Sequence, residues 1–133
     1  MNAPADRAPL RKPWSRRARR IVDSFMQACA SVDTDGIARL MRPDAALTID
    51  SGGSIPGPHC ADGPDAVATA ITELLIRYPG FRMEPGHING RPGIVMVSDG
   101  RVVGVINAVR RGRRVQEMWI VVNPDKLRHW NAM

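Results

Sequence analysis

The sequence predicts an α+β fold in which a cone-shaped, curved antiparallel sheet packs against three N-terminal helices. Up to residue 78, most apolar residues recur at intervals of three or four, as on one face of a helix. After residue 80 apolar and polar residues alternate, and glycine-containing dipeptides separate the runs, which is typical of strands joined by hairpins. A strongly curved sheet closed by helices leaves a conical cavity, so we expect a pocket inside this cone.

The first two helices begin at recognisable capping residues. Ser15 is a good N-cap for helix one, and Asp33 or Thr34 can cap a short helix two. We expect helix two to stop at Arg42, because Pro43 disfavours helical geometry in the residue before it. The apolar face of helix one consists of Ala18, Ile21, Val22, Phe25, Met26 and Cys29. Helix two directs Ile37, Leu40 and Met41 inward.

A strand and a loop separate helix two from helix three. Residues 45–50 alternate as a strand, and 51–58 hold three glycines and two prolines, which indicates a loop. Asp62, with Pro64 just inside the start, opens helix three. The dipeptide at 79–80, Pro-Gly, ends it.

Four consecutive antiparallel strands follow helix three. The turns between them include the dipeptides at 89–90 and 99–100, Asn-Gly and Asp-Gly, which tolerate positive φ and favour tight hairpins. Pro85 and Gly86 predict a bulge in the first of these strands. The predicted strands are 81–89, 93–98, 101–110 and 113–123.

Charge is distributed unevenly along this single-domain chain of 133 residues. Residues 1–14 predict a flexible basic arm, and 15–133 the folded domain. The formal net charge is +6, yet residues 1–20 carry seven of the 19 Lys and Arg and one of the 13 acids, so the remainder is neutral. A solvated arm is the favoured interpretation, and contact with nucleic acid is disfavoured because no recognition-helix pattern accompanies the basic residues. Those at the start of helix one are Arg16, Arg17, Arg19 and Arg20.

The cysteines, the histidines and the lengths of the apolar runs argue against metal, cofactor and membrane-spanning sites. Cys29 and Cys60 lack a CxxC or Cys/His pattern, so we expect reduced thiols, no metal and no cofactor. His59 and His87 are interpreted as surface or loop residues. No run reaches the ~18 apolar residues of a membrane span, so we expect no membrane contact and a cytoplasmic protein.

Strand periodicity brings polar residues into two apolar rows. Asn107 interrupts a row of valines, so its amide must find a partner or a ligand. Glu117 and Trp119 share a face of the last strand. If both rows point into the cone, these three side chains converge with Asp50 in one apolar cavity. Two carboxylates in such a site give an acid and a base near neutral pH, because one pKa is raised.

Several motifs resemble the SnoaL-like branch of the nuclear transport factor 2-like superfamily over roughly residues 17–130. The C-terminal half is similar to the SnoaL-like extension of extracytoplasmic-function sigma factors, although their DNA-binding regions have no counterpart here. The resemblance implies the nuclear transport factor 2-like, or cystatin-like, roll. The motifs are Val32-Asp33-Thr34-Asp35-Gly36-Ile37, Ile88-Asn89-Gly90-Arg91-Pro92, Asp99-Gly100-Arg101-Val102-Val103 and Asn123-Pro124-Asp125-Lys126-Leu127-Arg128-His129.

The resemblance to the sigma-factor extension implies a docking role for two of its segments. There, a loop reading Asp-Gly-Gly-Gly-Lys and the segment Asn-Pro-Asp-Lys-Leu help the extension pack on the polymerase-binding part of the same chain. Here the loop begins at Asp50 and reads Asp-Ser-Gly-Gly-Ser, without the lysine. A protein partner at 123–129 is one interpretation. The other is a turn that ends the last strand, with Leu127 beneath the sheet.

The resemblance to ketosteroid isomerase-like enzymes of the superfamily implies catalytic roles. Asp50 matches the position of their proton-transfer base, and Asn107 matches a hydrogen-bond donor. Phe25 falls where those enzymes have a tyrosine, so one donor is missing, and such a loss lowers rates by about 10²–10³. Glu117 would be a second carboxylate. The expected ligand-binding residues are Phe25, Trp119, Val105 and Val121.

Two functions remain open. The first is a pocket protein that binds a small, mostly apolar organic molecule and catalyses cofactor-free proton transfer, cyclisation or epoxide opening. The second is a non-catalytic regulatory or ligand-sensing module that acts through protein contacts. In the second case Asp50 caps its loop, Asn107 bonds a backbone group, and Glu117 pairs with a strand arginine, Arg101 or Arg110. Family resemblance also implies a homodimer formed through the open face of the sheet.

Overall fold

The computed structural model describes residues 15–56 and 59–131, in which four helices accompany six strands. The predicted arm, 1–14, lies outside the described residues. The described residues confirm the predicted α+β class. The helices are α1 (Arg16–Ala30), α2 (Thr34–Arg39), α3 (Pro64–Leu75) and α4 (Arg128–Asn131). The strands are β1 (Met41–Asp50), β2 (Cys60–Asp62), β3 (Arg82–Ile88), β4 (Arg91–Ser98), β5 (Arg101–Arg111) and β6 (Arg114–Val121).

The strands form one curved sheet in the order β2-β1-β6-β5-β4-β3. The last four strands are antiparallel neighbours, as predicted, while β1 pairs in parallel with β6 at the centre. Asn89 and Asp99 have φ of 54° and 55°, and a glycine with positive φ follows each of them. Both hairpins therefore have the left-handed turn conformation that Asn-Gly and Asp-Gly favour.

Capping explains where α1 and α2 begin, and pairing of the chain explains where α2 ends. The Ser15 side chain accepts a hydrogen bond from the Ala18 N–H, and the Asp33 side chain accepts one from the Gly36 N–H. The expected stop at Arg42 is wrong, because α2 ends at Arg39 and β1 begins two residues later. Strand pairing outweighs helical periodicity there, since Leu40 already accepts a hydrogen bond from the β6 backbone.

The core lies between the helices and one face of the sheet, which we call the inner face. Its strand residues include Leu47, Ile49, Met96, Ile106, Met118 and Ile120. Its helical residues include Phe25, Cys29, Ile37, Val67, Ile71, Leu74 and Leu75. All of these are buried. A smaller apolar cluster lies on the opposite, outer face and includes Ile88, Val95, Val97, Val105 and Leu127.

Bulges occur at other places than predicted. Pro85 and Gly86 pair in regular register with β4, so the bulge expected there is wrong. The register shifts instead between β4 and β5, beside Val103, and between β5 and β6, beside Gln116. An extra residue on one strand changes which side chains face the core, because side chains alternate between the faces.

The two cysteines are unpaired and have different surroundings. Cys29 is buried in the core and Cys60 is exposed on β2, at the edge of the sheet. Burial raises the pKa of the Cys29 thiol to about 12. Among the described residues, no helix is both long enough and apolar enough to cross a lipid bilayer.

Candidate functional site

The residues assigned to a pocket from the sequence do not meet inside the cone. Phe25 is 2% exposed and belongs to the core on the inner side of the sheet. The strand residues lie on the outer face instead, where Asn107 pairs with Trp119 and Val105 with Val121. The six residues on this side are Asp50, Val105, Asn107, Glu117, Trp119 and Val121. The expected convergence is therefore wrong in its geometry, and the catalytic and ligand-binding roles stay predictions.

The bulge in β6 explains why the last strand faces the other way. Val115 and Met118 are both buried in the helix-facing core although they lie three positions apart. The extra residue between them inverts the alternation, so Glu117 is exposed and Trp119 is 37% exposed on the outer face. The amide nitrogen of Asn107 is buried, and no hydrogen-bond partner is found for it among the described residues.

Asp50 connects the loop after β1 to the segment after β6. Its carboxylate accepts hydrogen bonds from the Lys126 ammonium at 2.7 Å and the Asn123 amide at 3.3 Å. The Gly52 N–H donates to the same carboxylate at 3.2 Å. We call this set, Asp50, Gly52, Asn123 and Lys126, the loop clamp. It fixes the position of two segments that lie more than seventy residues apart in the sequence.

The loop clamp determines the acidity of Asp50. The hydrogen bond from Lys126 lowers the pKa of this carboxyl below its ordinary value, and the bonds from Asn123 and Gly52 act in the same direction. Partial burial opposes them. A general base is most effective when its pKa lies near the working pH. The charge of Asp50 is thus stabilised by its neighbours, and the carboxylate is a weak base.

A serine and a histidine hold the loop after β1 in its conformation by hydrogen bonds within the loop. Ser51 is 1% exposed, and its hydroxyl lies 2.9 Å from His59 Nε2. The same nitrogen lies 3.0 Å from the Ile55 carbonyl oxygen, and the Gly53 N–H donates to the serine hydroxyl. His59 therefore holds the loop across its base. This pair was not predicted from the sequence, because its members lie eight positions apart and no motif marks them.

The C-terminal segment covers part of the outer face. Leu127 is 4% exposed and packs in the outer cluster with Trp130 beside it, which confirms that Leu127 lies beneath the sheet. The Asn131 side chain accepts a hydrogen bond from the Val102 N–H and donates one to the Val102 carbonyl. β6 ends at Val121 and does not reach Val102 of β5. The Asn131 amide therefore pairs with the backbone N–H and carbonyl of Val102, which would otherwise lie at an open strand edge.

A groove of about 900 Å³ adjoins the loop clamp. It lies between the loop at 54–55, the turn after α3 and the C-terminal segment. Its apolar surface includes Ile55, Val103, Val122 and Leu127, and Tyr78 contributes a phenol. Burial raises the pKa of Tyr78, so this hydroxyl remains a neutral hydrogen-bond donor at physiological pH. The volume falls within the range of sites that bind small molecules.

The chain is similar to a sigma factor in sequence and in structure. No family model matches it. The extracytoplasmic-function RNA polymerase sigma factor SigJ of Mycobacterium tuberculosis is 32% identical over 80% of this chain, and the chain spans 38% of that protein. The crystal structure of SigJ superposes with a TM-score of 0.65 at 27% identity, over 86% of this chain and 46% of that one. The chain is homologous to part of SigJ, and it has the SnoaL-like, nuclear transport factor 2-like fold.

More distant structures share the fold of this chain. A SnoaL-like protein from Burkholderia thailandensis superposes with a TM-score of 0.60 at 17% identity, covering 82% of this chain and 97% of that one. A steroid delta-isomerase from Pseudomonas aeruginosa reaches 0.61 at 18% identity, covering 86% and 85%. These two support the predicted roll. The SnoaL-like resemblance found in the sequence is confirmed by SigJ and by these structures together.

Proposed function

We propose that this SnoaL-like domain is a non-catalytic regulatory module that docks on the polymerase-binding part of an extracytoplasmic-function sigma factor. The observation that carries the proposal is the loop clamp. It joins the two segments that the sigma-factor resemblance associates with docking into one surface. Similarity to SigJ supports the proposal, since the matched part is a fraction of a longer sigma factor.

The surroundings of the loop clamp suit a protein contact better than proton transfer. Gly53, Pro124 and Lys126 are exposed, so both segments present backbone and side chains to a partner. The carboxylate that would act as base is bound by Lys126, and its lowered pKa weakens it in that role. Glu117 and Asn107 lie several strand positions away from Asp50 on the outer face.

Binding to a sigma factor tests this proposal directly. The partner is SigJ from which the region similar to this chain has been removed, titrated with the full chain by isothermal calorimetry. Lys126→Ala should weaken binding at least tenfold, because it releases the loop from the C-terminal segment. Arg128→Ala is the matched control, since this exposed cation pairs with Asp125 at 3.0 Å instead of with the loop. No binding by the unaltered chain, or equal losses in both variants, would overturn the proposal.

A second candidate function is binding of a small, mostly apolar organic molecule in the groove beside Tyr78. The observation that favours it is the combination of an apolar lining with a neutral phenol donor. Anilinonaphthalene sulfonate is a suitable fluorescent probe. Val103→Trp, which fills the groove, should abolish saturable binding, whereas Ala30→Trp, at the exposed end of α1, should leave it intact. Equal responses of the two variants would remove this candidate.

The catalytic hypothesis makes an opposite prediction for Asp50. If Asp50 is the base of a proton transfer, cyclisation or epoxide opening, Asp50→Asn abolishes turnover while ligand binding remains. If the carboxylate acts through the loop clamp, the same variant weakens docking on the sigma factor instead. Calorimetry with the truncated SigJ and turnover assays with epoxide and enolisable ketone substrates therefore separate the two functions.

A further inference from the structure

Two segments far apart in the sequence form one basic surface at the far end of the sheet from the loop clamp. The first turns of α1 begin beside the β5–β6 hairpin, where the Arg110 guanidinium lies 3.5 Å from the Ser15 hydroxyl. A depression of about 380 Å³ between them is lined by arginines from both segments and by Ile21, Ser24 and Leu40. We call the seven arginines of these two segments the arginine face: Arg16, Arg17, Arg20, Arg110, Arg111, Arg113 and Arg114.

The arginine face is not neutralised within the part of the chain that the structure describes. None of its seven guanidinium groups forms an ion pair there. Of the two carboxylates that lie three positions from this face in the sequence, Asp23 is engaged by Arg19 at 3.8 Å, and Glu117 forms no ion pair within the described residues. No carboxylate lines the depression. Unpaired like charges held close together repel one another, so this surface favours a bound polyanion.

We propose that the arginine face binds the phosphate backbone of a DNA duplex without reading its sequence. Every cation in it is an arginine, whose planar guanidinium binds phosphate oxygens in a bidentate manner. The arginines of this face come from α1 and from the β5–β6 hairpin, so their charges are spread over a surface rather than gathered in a pocket. That distribution suits a row of phosphates on a rigid duplex better than a single small anion.

The chemistry of the arginine face disfavours other polyanions. Within the described residues, the exposed large hydrophobic side chains are Val32, Ile76 and Trp119, and none of them belongs to this face. Protein interfaces require a buried apolar centre, and membrane surfaces are bound through inserted apolar side chains. Single strands are held by stacking on aromatic side chains, which the described part of this face lacks. The phosphate backbone of a duplex requires neither.

The proposal predicts a particular dependence on salt. Each phosphate neutralised by an arginine releases condensed counterions, so the logarithm of the association constant falls by about 0.9 per phosphate for each logarithmic unit of salt. Removal of two arginines should therefore reduce the slope by about 1.8. The base sequence of the duplex should leave the affinity unchanged, since phosphate contacts carry no sequence information.

The experiment is a fluorescence-anisotropy titration of a labelled DNA duplex of about 20 base pairs with the full chain, between about 50 and 200 mM KCl. The test variant combines Arg111→Gln with Arg113→Gln. The matched control combines Arg82→Gln with Arg101→Gln, which also removes two exposed arginines. Arg82 begins β3 and Arg101 begins β5, both at the end of the sheet away from the arginine face. The test variant should lose at least tenfold in affinity at the lowest salt and show the smaller slope. The control should bind as the unaltered chain does.

Further ligands in the same titration complete the test. The single strand alone, an RNA duplex of equal length and vesicles containing phosphatidylserine should each bind more weakly than the DNA duplex. Equal losses in the two variants would overturn the proposal, as would unchanged binding by the test variant, which would assign binding to residues 1–14. Tighter binding to any of the other ligands would also overturn it. Circular dichroism of both variants shows that an altered affinity does not result from unfolding.

Discussion

The two ends of β5 differ in how their charges are used. At the Arg101 end the C-terminal segment covers the strand, and the nearby loop clamp pairs Asp50 with Lys126. At the Arg111 end the hairpin and the start of α1 bring seven arginines together without an ion pair in the described chain. The charges of residues 21–133 sum to zero, yet four of these seven arginines belong to that neutral part and lie together at one end of the sheet. Net charge along a sequence therefore says little about the local field.

The covered end should depend most strongly on Leu127. Leu127→Ala removes a side chain that is 4% exposed in the outer cluster, and such losses typically destabilise by about 2–5 kcal/mol. Chemical denaturation followed by circular dichroism would measure the loss, and hydrogen exchange would show whether the segment detaches locally. A free energy of unfolding within 0.5 kcal/mol of the original, on the order of a neutral surface change, would contradict the assigned packing.

Gly52 should be the next most sensitive position at the covered end. Its φ is +63°, and an added Cβ would lie 2.5 Å from the Asn123 side chain. Gly52→Ala should therefore destabilise by about 1–3 kcal/mol, through backbone strain and loss of the loop clamp. Gly53→Ala is the control, because its φ is +84° but no heavy atom lies within 4 Å of the added Cβ. Equal effects in thermal melts would show that contact with Asn123 is unimportant.

The open part of the outer face, between the two ends, should support the expected homodimer. Trp119 is 37% exposed there beside the buried Asn107 amide, and aromatic residues are enriched among interface anchors. Light scattering should give about twice the 14.6 kDa of one chain. Trp119→Ala should weaken the dimer at least tenfold, about 1.4 kcal/mol. A monomer at high concentration in the unaltered protein would contradict this prediction.

Asp50 gives the covered end a dependence on pH. Its pKa is lowered in the folded state, so its stabilisation is fully present above the unfolded pKa of about 3.9 and is lost as pH falls through the lower folded value. The difference in stability between the original chain and Asp50→Asn should be constant between pH 5 and 8 and shrink below about pH 4. The pair is partly exposed, so the difference should stay within about 1 kcal/mol. A difference that grows in acid has the wrong sign.

The smallest effect is expected at the arginine end. Arg113→Gln removes one charge from a repulsive cluster and should raise the free energy of unfolding by a few tenths of a kcal/mol at low salt. At about 1 M salt the gain should vanish because screening is nearly complete at such separations. Denaturant titrations at the two salt concentrations would measure it. Destabilisation at low salt would show that Arg113 has a stabilising partner. The charges at both ends of β5 would then be paired, and the contrast between the ends would be lost.

Local signals predicted the elements well, and long-range pairing explains most of what they missed. The caps at Ser15 and Asp33 and the two tight hairpins depend on neighbouring residues, so the sequence shows them directly. The face of Glu117 depends on a bulge, which is defined by the partner strand and not by the strand itself. One extra residue in β6 is sufficient to place Glu117 and Trp119 on the outer face.

The site was harder to predict than the fold for the same reason. The resemblance pointed to the loop at Asp50 and to the segment at Asn123, but nothing in their separate sequences shows that they bind each other. The arginine face is equally hidden in the sequence, because 95 positions separate Ser15 from Arg110. Charge counting along the chain treats such groups as independent, whereas the curved sheet brings them together.

The two thiols differ in exposure, which allows the chain to be labelled at a single site. At neutral pH the buried Cys29 is almost entirely protonated, so electrophiles that react with thiolates have little to attack there. Cys60 is exposed on the edge strand and is the other of the two cysteines in the sequence. A maleimide dye or a spin label should therefore attach at one defined point, and any covalent cross-link between two copies in air should pass through Cys60.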